Sequence, residues 1–308
     1  TPDAHYEDAQ RVANGQIDPT VLRLFVDNAA DTIDWLMDIG FKPAAGTPVA
    51  GESHEAYSTR RYLWGDNQAI SILDALRPVH EKLVADGKID LRLEHRLKSL
   101  ISDDSGAVTG VVVDTLNGEQ TFHGKNVVLA CGGYAAGPDL WNDLNPEIPL
   151  CSHCNPYSRG DGIVAARELD AQINGKEKFL CTFAGWLEDE SDPTSGEFLA
   201  LSPKARNIWE IFVDVNGKRF MKEDHQSIDY RERNLLKQPG MRMNIVFDEG
   251  IRQNASPITM LDPEALKAKF GAHPNFVKAD TIEGLASELG IPANALKATV
   301  DEYNASVD

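Results

Sequence analysis

Apolar residues in the first third of the chain recur at helical spacing. After Asp18-Pro19 they fall at Val21, Leu22, Phe25, Val26, Ala29, Ile33, Leu36 and Met37, close to a 3.6-residue period, and Gly40 ends the run. This predicts a long amphipathic helix. A polar stretch over residues 51–65 leads into a second helical pattern, Ile70, Ile72, Leu73, Leu76, Val79 and Leu83, which stops at Gly87 and carries Pro78 as a kink candidate. The period then shortens to two. Residues 89–102 open with strand-like alternation, Asp103-Asp104-Ser105-Gly106 reads as a turn, and Asn117-Gly118 is a hairpin signal. Together they predict a β-meander feeding a buried strand at residues 127–130. That strand runs into Gly132 and Gly133, where a backbone turns tightly or comes close to something.

The second half is less regular. A cap-like Ser158 precedes a helical pattern beginning at Gly160-Asp161-Gly162. Residues 211–223 read as a strand-turn unit with Asn216-Gly217 at its tip, residues 245–250 as a strand, and residues 280–308 as two helices broken at Gly290-Ile291-Pro292. The fold class is α/β in the first half and α+β overall, with a domain boundary predicted at 176/177.

Composition narrows the function. With 308 residues the chain can bury a large core, and its net charge of −18, from 48 acidic against 30 basic side chains, excludes a phosphate-backbone partner such as nucleic acid. No run of eighteen apolar residues predicts a transmembrane segment, and the first residues contain neither an initiator Met nor a signal-peptide core. Four cysteines, at 131, 151, 154 and 181, are too few for a disulfide scaffold.

Candidate chemistry is sparse when motifs are taken singly. A dinucleotide loop would be G-x-G-x-x-G after a strand. The first half has none, and the near match Gly160-Asp161-Gly162 through Ala165 reads equally as a glycine turn capping a helix through Asp161. Cys151 and Cys154 form a CxxC without the second pair that a zinc site needs, so ordinary loop thiols are expected and no metal site is assigned. No G-x-S-x-G or H-E-x-x-H motif supports a hydrolase.

Taken in order, the segments at residues 1–40, VVLACGGY at 127–134, SRGDGIVAARELDAQI at 158–173, NGKRFMKE at 216–223 and the stretch from 281 to 307 resemble the flavoprotein-subunit family of fumarate reductases and succinate dehydrogenases. This family includes flavocytochrome fumarate reductases, urocanate reductase and 3-ketosteroid dehydrogenases. The resemblance implies a partial Rossmann-like FAD-binding domain over residues 1–176, a capping domain over 177–308, and an internal fragment without the family's first G-x-G-x-x-G or its flavin-closing C-terminal segment. It implies FAD as cofactor, bound through Ala130, Cys131, Gly132 and Gly133 and through Gly160, Asp161 and Gly162, with Cys131 where relatives carry Thr. An electron-donor protein or domain and a small-molecule substrate are the implied partners.

The same resemblance locates the chemistry, hydride transfer between FAD and a C–C bond with a protein acid supplying the proton. Four residues after Glu223, where a fumarate reductase has its Arg acid, stands Ser227; Tyr230 or Arg231 takes the role if the alignment slips by a few residues. The carboxylate clamp retains a hydroxyl at Ser202 and an Arg at Arg206 but has Pro203 in place of Glu, and no His occurs in the cap-entry strand, where Cys181, Thr182 and Phe183 lie. Thr182, Phe183 and Ser202 are therefore the expected substrate contacts. The substrate is expected to be larger or more aromatic than fumarate, with Phe183, Trp186 and Trp209 as apolar contacts or as ordinary core. The alternative, from a different class, is a catalytically silent capping module without bound FAD.

Overall fold

The computed structural model describes residues 1–51, 55–176 and 183–306. The chain divides into two compact units, residues 1–93 and 94–308. The boundary expected at 176/177 falls at residues 177–182, which are outside the described residues.

The first unit is helical. Helix α1 (Pro2–Val12) is followed by α2 (Pro19–Asp38), whose Asp18 carboxylate accepts from Thr20 N and Val21 N and satisfies two donors of the first turn. Leu22 and Val26 of α2 pack on Ala9 of α1, while Leu36 packs with Phe41 and with Ala75 of α3 (Ile70–Ala85), a helix that continues through Pro78. A polar knot joins α1 to the following loop. The buried Asp8 carboxylate accepts from Ser58 Oγ and Arg61 Nη1, both at 2.6 Å, and hydrogen bonds led by Ser58 hold it well below the usual carboxylate range.

The second unit opens with the expected meander. Strands β1 (Arg96–Ser102), β2 (Val108–Thr115) and β3 (Gly118–His123) form an antiparallel sheet in that order, with Thr115 opposite Gly118 at the hairpin. The strand predicted at residues 127–130 does not form. A strand needs a neighbour for its ladder, none of the described residues provides one there, and Val128 is 87% exposed. Helix α4 (Pro138–Leu144) precedes α5 (Asp161–Arg167), which packs on β1. Gly160, not Ser158, is the α5 N-cap residue, with left-handed φ of 83° and no side-chain cap.

Among the described residues beyond 182 are two short two-stranded sheets, five α-helices and a 3-10 turn at Pro239–Met241. Strand β4 (Gly185–Leu187) pairs antiparallel with β5 (Gly196–Phe198), and β6 (Ile211–Val213) with β7 (Asn244–Val246). Between the last two lies α6 (Ile228–Leu235), and after them α7 (Glu249–Asn254), α8 (Pro263–Lys269), α9 (Ile282–Leu289) and α10 (Ala293–Ala305). The two faces of β6 divide the core. Phe212 joins Phe183, Leu201, Met221 and Ile258, while Ile211 and Val213 pack against Ala286, Ile291 and Leu296 of the closing helix pair. That pair turns at Gly290 in the left-handed region, as the Gly-Ile-Pro break predicts. The tip after β6 presses on α10: a Cβ on Gly217 would stand 3.0 Å from Leu296 N, and Thr299 Oγ1 donates to Gly217 O at 2.7 Å. No described helix is long and apolar enough to cross a membrane.

Candidate functional site

The two glycine motifs, some thirty residues apart in sequence, lie side by side. Gly160 N donates to Gly133 O at 3.0 Å and Ala136 N to Ser158 O at 2.9 Å, so the two loops are joined through their backbones. Glycine is required by closeness as much as by conformation. A Cβ on Gly160 would stand 2.4 Å from Leu140 Cδ2, and one on Gly162 would stand 3.2 Å from Cys131 Sγ. Ala130, Cys131, Gly132 and Gly133 form an exposed run, Gly160 and Gly162 are buried, and Asp161 is half-buried. Beside them is a cavity of about 400 Å³ whose walls include Leu129, Cys131, Gly132, Gly162 and Ile163, within the usual range of small-molecule pockets, about 300–1,000 Å³.

Asp161 is not a helix cap. Its carboxylate takes a two-pronged grip from Arg96 of β1, with Nε–Oδ2 and Nη2–Oδ1 both 2.8 Å, which holds it below the ordinary carboxylate range. The sheet thereby fixes the start of α5. Exposed backbone, side-chain-free approach and an adjoining cavity are the features a planar or phosphorylated cofactor needs, and the residues fit FAD on that ground.

A second constellation lies in the region following residue 182. Arg231 of α6 is 2% exposed, donates from Nη1 to Leu201 O at 2.5 Å, and places its guanidinium over the Phe183 ring at 4.8 Å. Tyr230 packs against the same core and stacks on His225, with ring centroids 3.9 Å apart. Ser202 follows Leu201, and its carbonyl accepts from Arg206 N. Arg206 itself turns elsewhere, pairing with Glu210 and donating from Nε to Ser256 O. The structure therefore brings Phe183, Tyr230 and Arg231 together beside Leu201 and Ser202, and directs Arg206 to a carboxylate of its own. Thr182 lies outside the described residues.

Of these residues only Phe183 lines the large groove of this region, about 1720 Å³, whose apolar wall also includes Trp186, Phe198, Leu199, Trp209 and Ile258. Trp186 is at the same time part of a core cluster with Leu266 and Phe276, while Trp209 is 43% exposed. Glu223 is buried and accepts from Phe212 N and from Arg219, tying the GKRFMKE segment back to β6.

The sequence reading missed Glu210 and His225. No local signal marks either, since a four-residue spacing pairs side chains on a helix and residues 206–210 are not helical. Cys131, Cys151 and Cys154 are free thiols. Residues 151–154 are instead fastened along β5, through Gly196 N to Ser152 O and through His153 Nδ1 at 2.6 Å from Gly196 O, and burial pushes the Cys151 thiol up.

This arrangement belongs to a flavin-binding class of protein. The FAD binding domain family matches residues 1–308, and the chain belongs to that family, whose cofactor is FAD. Among curated relatives it is 28% identical over 310 residues to a "Probable fumarate reductase" of Shewanella frigidimarina (strain NCIMB 400), covering 98% of this chain and 47% of the relative. It is 25% identical over 315 residues to a vinyl phenol reductase of Lactiplantibacillus plantarum (strain ATCC BAA-793 / NCIMB 8826 / WCFS1), covering 94% and 61%. In fold it is similar to the open conformation of a flavocytochrome c3 fumarate reductase, with a TM-score of 0.63 at 23% identity, over 100% of this chain and 50% of that one. The chain spans about half the length of the curated relatives it matches.

Proposed function

We propose that the protein containing this chain is an FAD-dependent oxidoreductase that moves a hydride between the flavin and a C–C bond of a small organic substrate other than fumarate. The observation that carries this reading is the backbone joining of Gly132-Gly133 to Gly160-Asp161-Gly162 beside a cavity, within a chain matched along its whole length by an FAD-binding family. FAD, when bound, supplies the hydride chemistry. The residues from 177 onward act as the substrate lid. Within it Tyr230 serves as the acid, because its phenol is a proton donor half-buried on the same helix as Arg231, and Phe183, Ser202 and Thr182 contact the substrate. Electrons arrive from a donor protein or domain.

Two features support a substrate other than fumarate: Pro203 stands in the clamp where the resemblance calls for a carboxylate, and Arg206 is held by Glu210. The test is direct. Adding FAD to the purified whole protein that contains this chain should give a structured, bound-flavin visible spectrum, and reduced viologen should then be oxidised by unsaturated substrates more readily than by fumarate. A free-flavin spectrum would overturn the cofactor assignment, and activity confined to fumarate would overturn the substrate assignment.

A further inference from the structure

The His225 imidazole lies flat on the Tyr230 phenol, with ring centroids 3.9 Å apart and 23° between the planes. Aromatic pairs usually keep about 4.5–7 Å between centroids and avoid a face-to-face sandwich, so this arrangement is imposed by something besides the rings. One residue supplies the constraint. Ser227 N donates to His225 Nδ1 at 3.1 Å, and Ser227 Oγ, at the N-cap of α6, accepts from Tyr230 N at 3.3 Å. With Nδ1 as the acceptor, the neutral imidazole carries its proton on Nε2 and its ring has one orientation. Tyr230 also packs against the core cluster of Phe183, Leu201 and Phe212. Core, helix start and imidazole together hold the phenol ring, while among the described residues no hydrogen bond reaches its hydroxyl. A held ring with an unengaged donor on a half-buried residue is the geometry of a group kept ready for something that arrives from outside the chain.

We propose that His225 is a positioning residue for proton delivery: it fixes the Tyr230 phenol in one orientation, so that the hydroxyl meets the substrate without a rotational search. The proposal rests on the oxidoreductase reading above, in which Tyr230 is the acid. In that step the phenol O–H bond breaks, its proton goes to the carbon adjoining the one that takes the hydride, and the phenolate regains a proton from water at the half-exposed ring. His225 acts through the phenol and gives no proton of its own. Loss of the stack therefore slows the proton step and leaves substrate binding unchanged.

Three variants of the whole, FAD-loaded protein separate the ring from its hydrogen bond. His225→Phe keeps a flat ring and loses the acceptor, His225→Asn keeps an acceptor and loses the ring, and His225→Ala loses both. With reduced viologen as donor and cyclohexenone and cinnamate as probes, His225→Ala and His225→Asn should lower kcat by about tenfold at unchanged KM, while His225→Phe should stay within about threefold. In the Tyr230→Phe background His225→Ala should change kcat by less than about twofold, because its effect passes through the phenol. A second readout needs no turnover and decides where neither probe is reduced. With tyrosine isotope-labelled at its two Cε carbons, a held Tyr230 ring should give two NMR signals in the unaltered protein and in His225→Phe, and one averaged signal in His225→Ala. Full kcat in His225→Ala, an undiminished loss in the Tyr230→Phe background, or a freely flipping Tyr230 ring in the unaltered protein would each overturn the proposal. If His225→Ala does not fold, the Asn and Phe variants and the ring signals of the unaltered protein still decide. The two readings fail separately: full kcat in Tyr230→Phe removes the acid role and with it the role of His225, whereas a loss in Tyr230→Phe with full kcat in His225→Ala removes the role of His225 alone.

Discussion

Arg206 Nη2 lies 2.5 Å from Glu210 Oε1, with the two side chains only 3% and 1% exposed. The pair joins the loop after Leu201 to the start of β6, and Glu210 also accepts from Trp209 N. Removing one partner strands the other. Glu210→Gln should therefore lower unfolding stability by about 3–5 kcal/mol in urea denaturation, whereas the double change Arg206→Met with Glu210→Leu should recover most of the loss. Equal stability of the single variant and the unaltered protein would show that the pair is not buried in solution.

The joined glycine loops make an equally specific demand. Gly160→Ala places a methyl group into Leu140 and Tyr134 at a residue with φ of 83°. The left-handed conformation costs about 1–2 kcal/mol and the overpacking about 1–3 more. A thermal melt should show the stability loss, and an FAD titration followed by flavin fluorescence should show weaker binding. Gly106→Ala, at a turn with positive φ but no neighbour within 4 Å, is the control for conformation alone.

Acidification should loosen the start of α5. Asp161 is held below the ordinary carboxylate range, first by its hydrogen bonds from Arg96. A depressed carboxylate contributes stability above its unfolded value, about 3.9, and loses it as pH falls through the lower folded value. Arg96→Gln should therefore be less stable than the unaltered protein at pH 7, by no more than about 1 kcal/mol because Arg96 is 58% exposed. The two stability curves should converge in acid, once pH has fallen through the lowered folded-state value of Asp161. Parallel curves down to the lowest pH would contradict the pairing.

Tyr230→Phe removes the phenolic proton and keeps the ring stacked on His225. In the FAD-loaded protein it should lower kcat by about 10²–10⁴ while leaving KM nearly unchanged, because the loss falls on proton delivery. A kcat within twofold or so of the unaltered protein would move the acid role to another residue.

What could be read from the sequence followed a physical division. Helix α2 was legible because its stripe and its Asp18 cap are local, and the β2–β3 hairpin because Asn117-Gly118 fixes its own turn. Pairing between β6 and β7 was not, since the partners are some thirty residues apart and nothing in either strand names the other. Residues 127–130 misled for the same reason: an apolar run states a preference for burial, while a ladder needs a neighbour. In the candidate site the glycines were visible as an anomaly of composition. The orientations of Arg206 and Arg231 were not, because which carboxylate or carbonyl each guanidinium meets is decided by the fold and not by neighbouring residues.

Gly217 gives the closing helix a dependence that its own sequence does not reveal. Helix α10 has no side-chain cap at its start, and it is positioned instead by the hairpin tip, which touches Leu296 and binds Thr299. The tip and the helix should therefore open and close as one cooperative unit. In native-state hydrogen exchange, amides of α10 and of residues 211–219 would share an opening free energy, and grafting another amphipathic helix onto this end would preserve its apolar stripe but lose that shared protection.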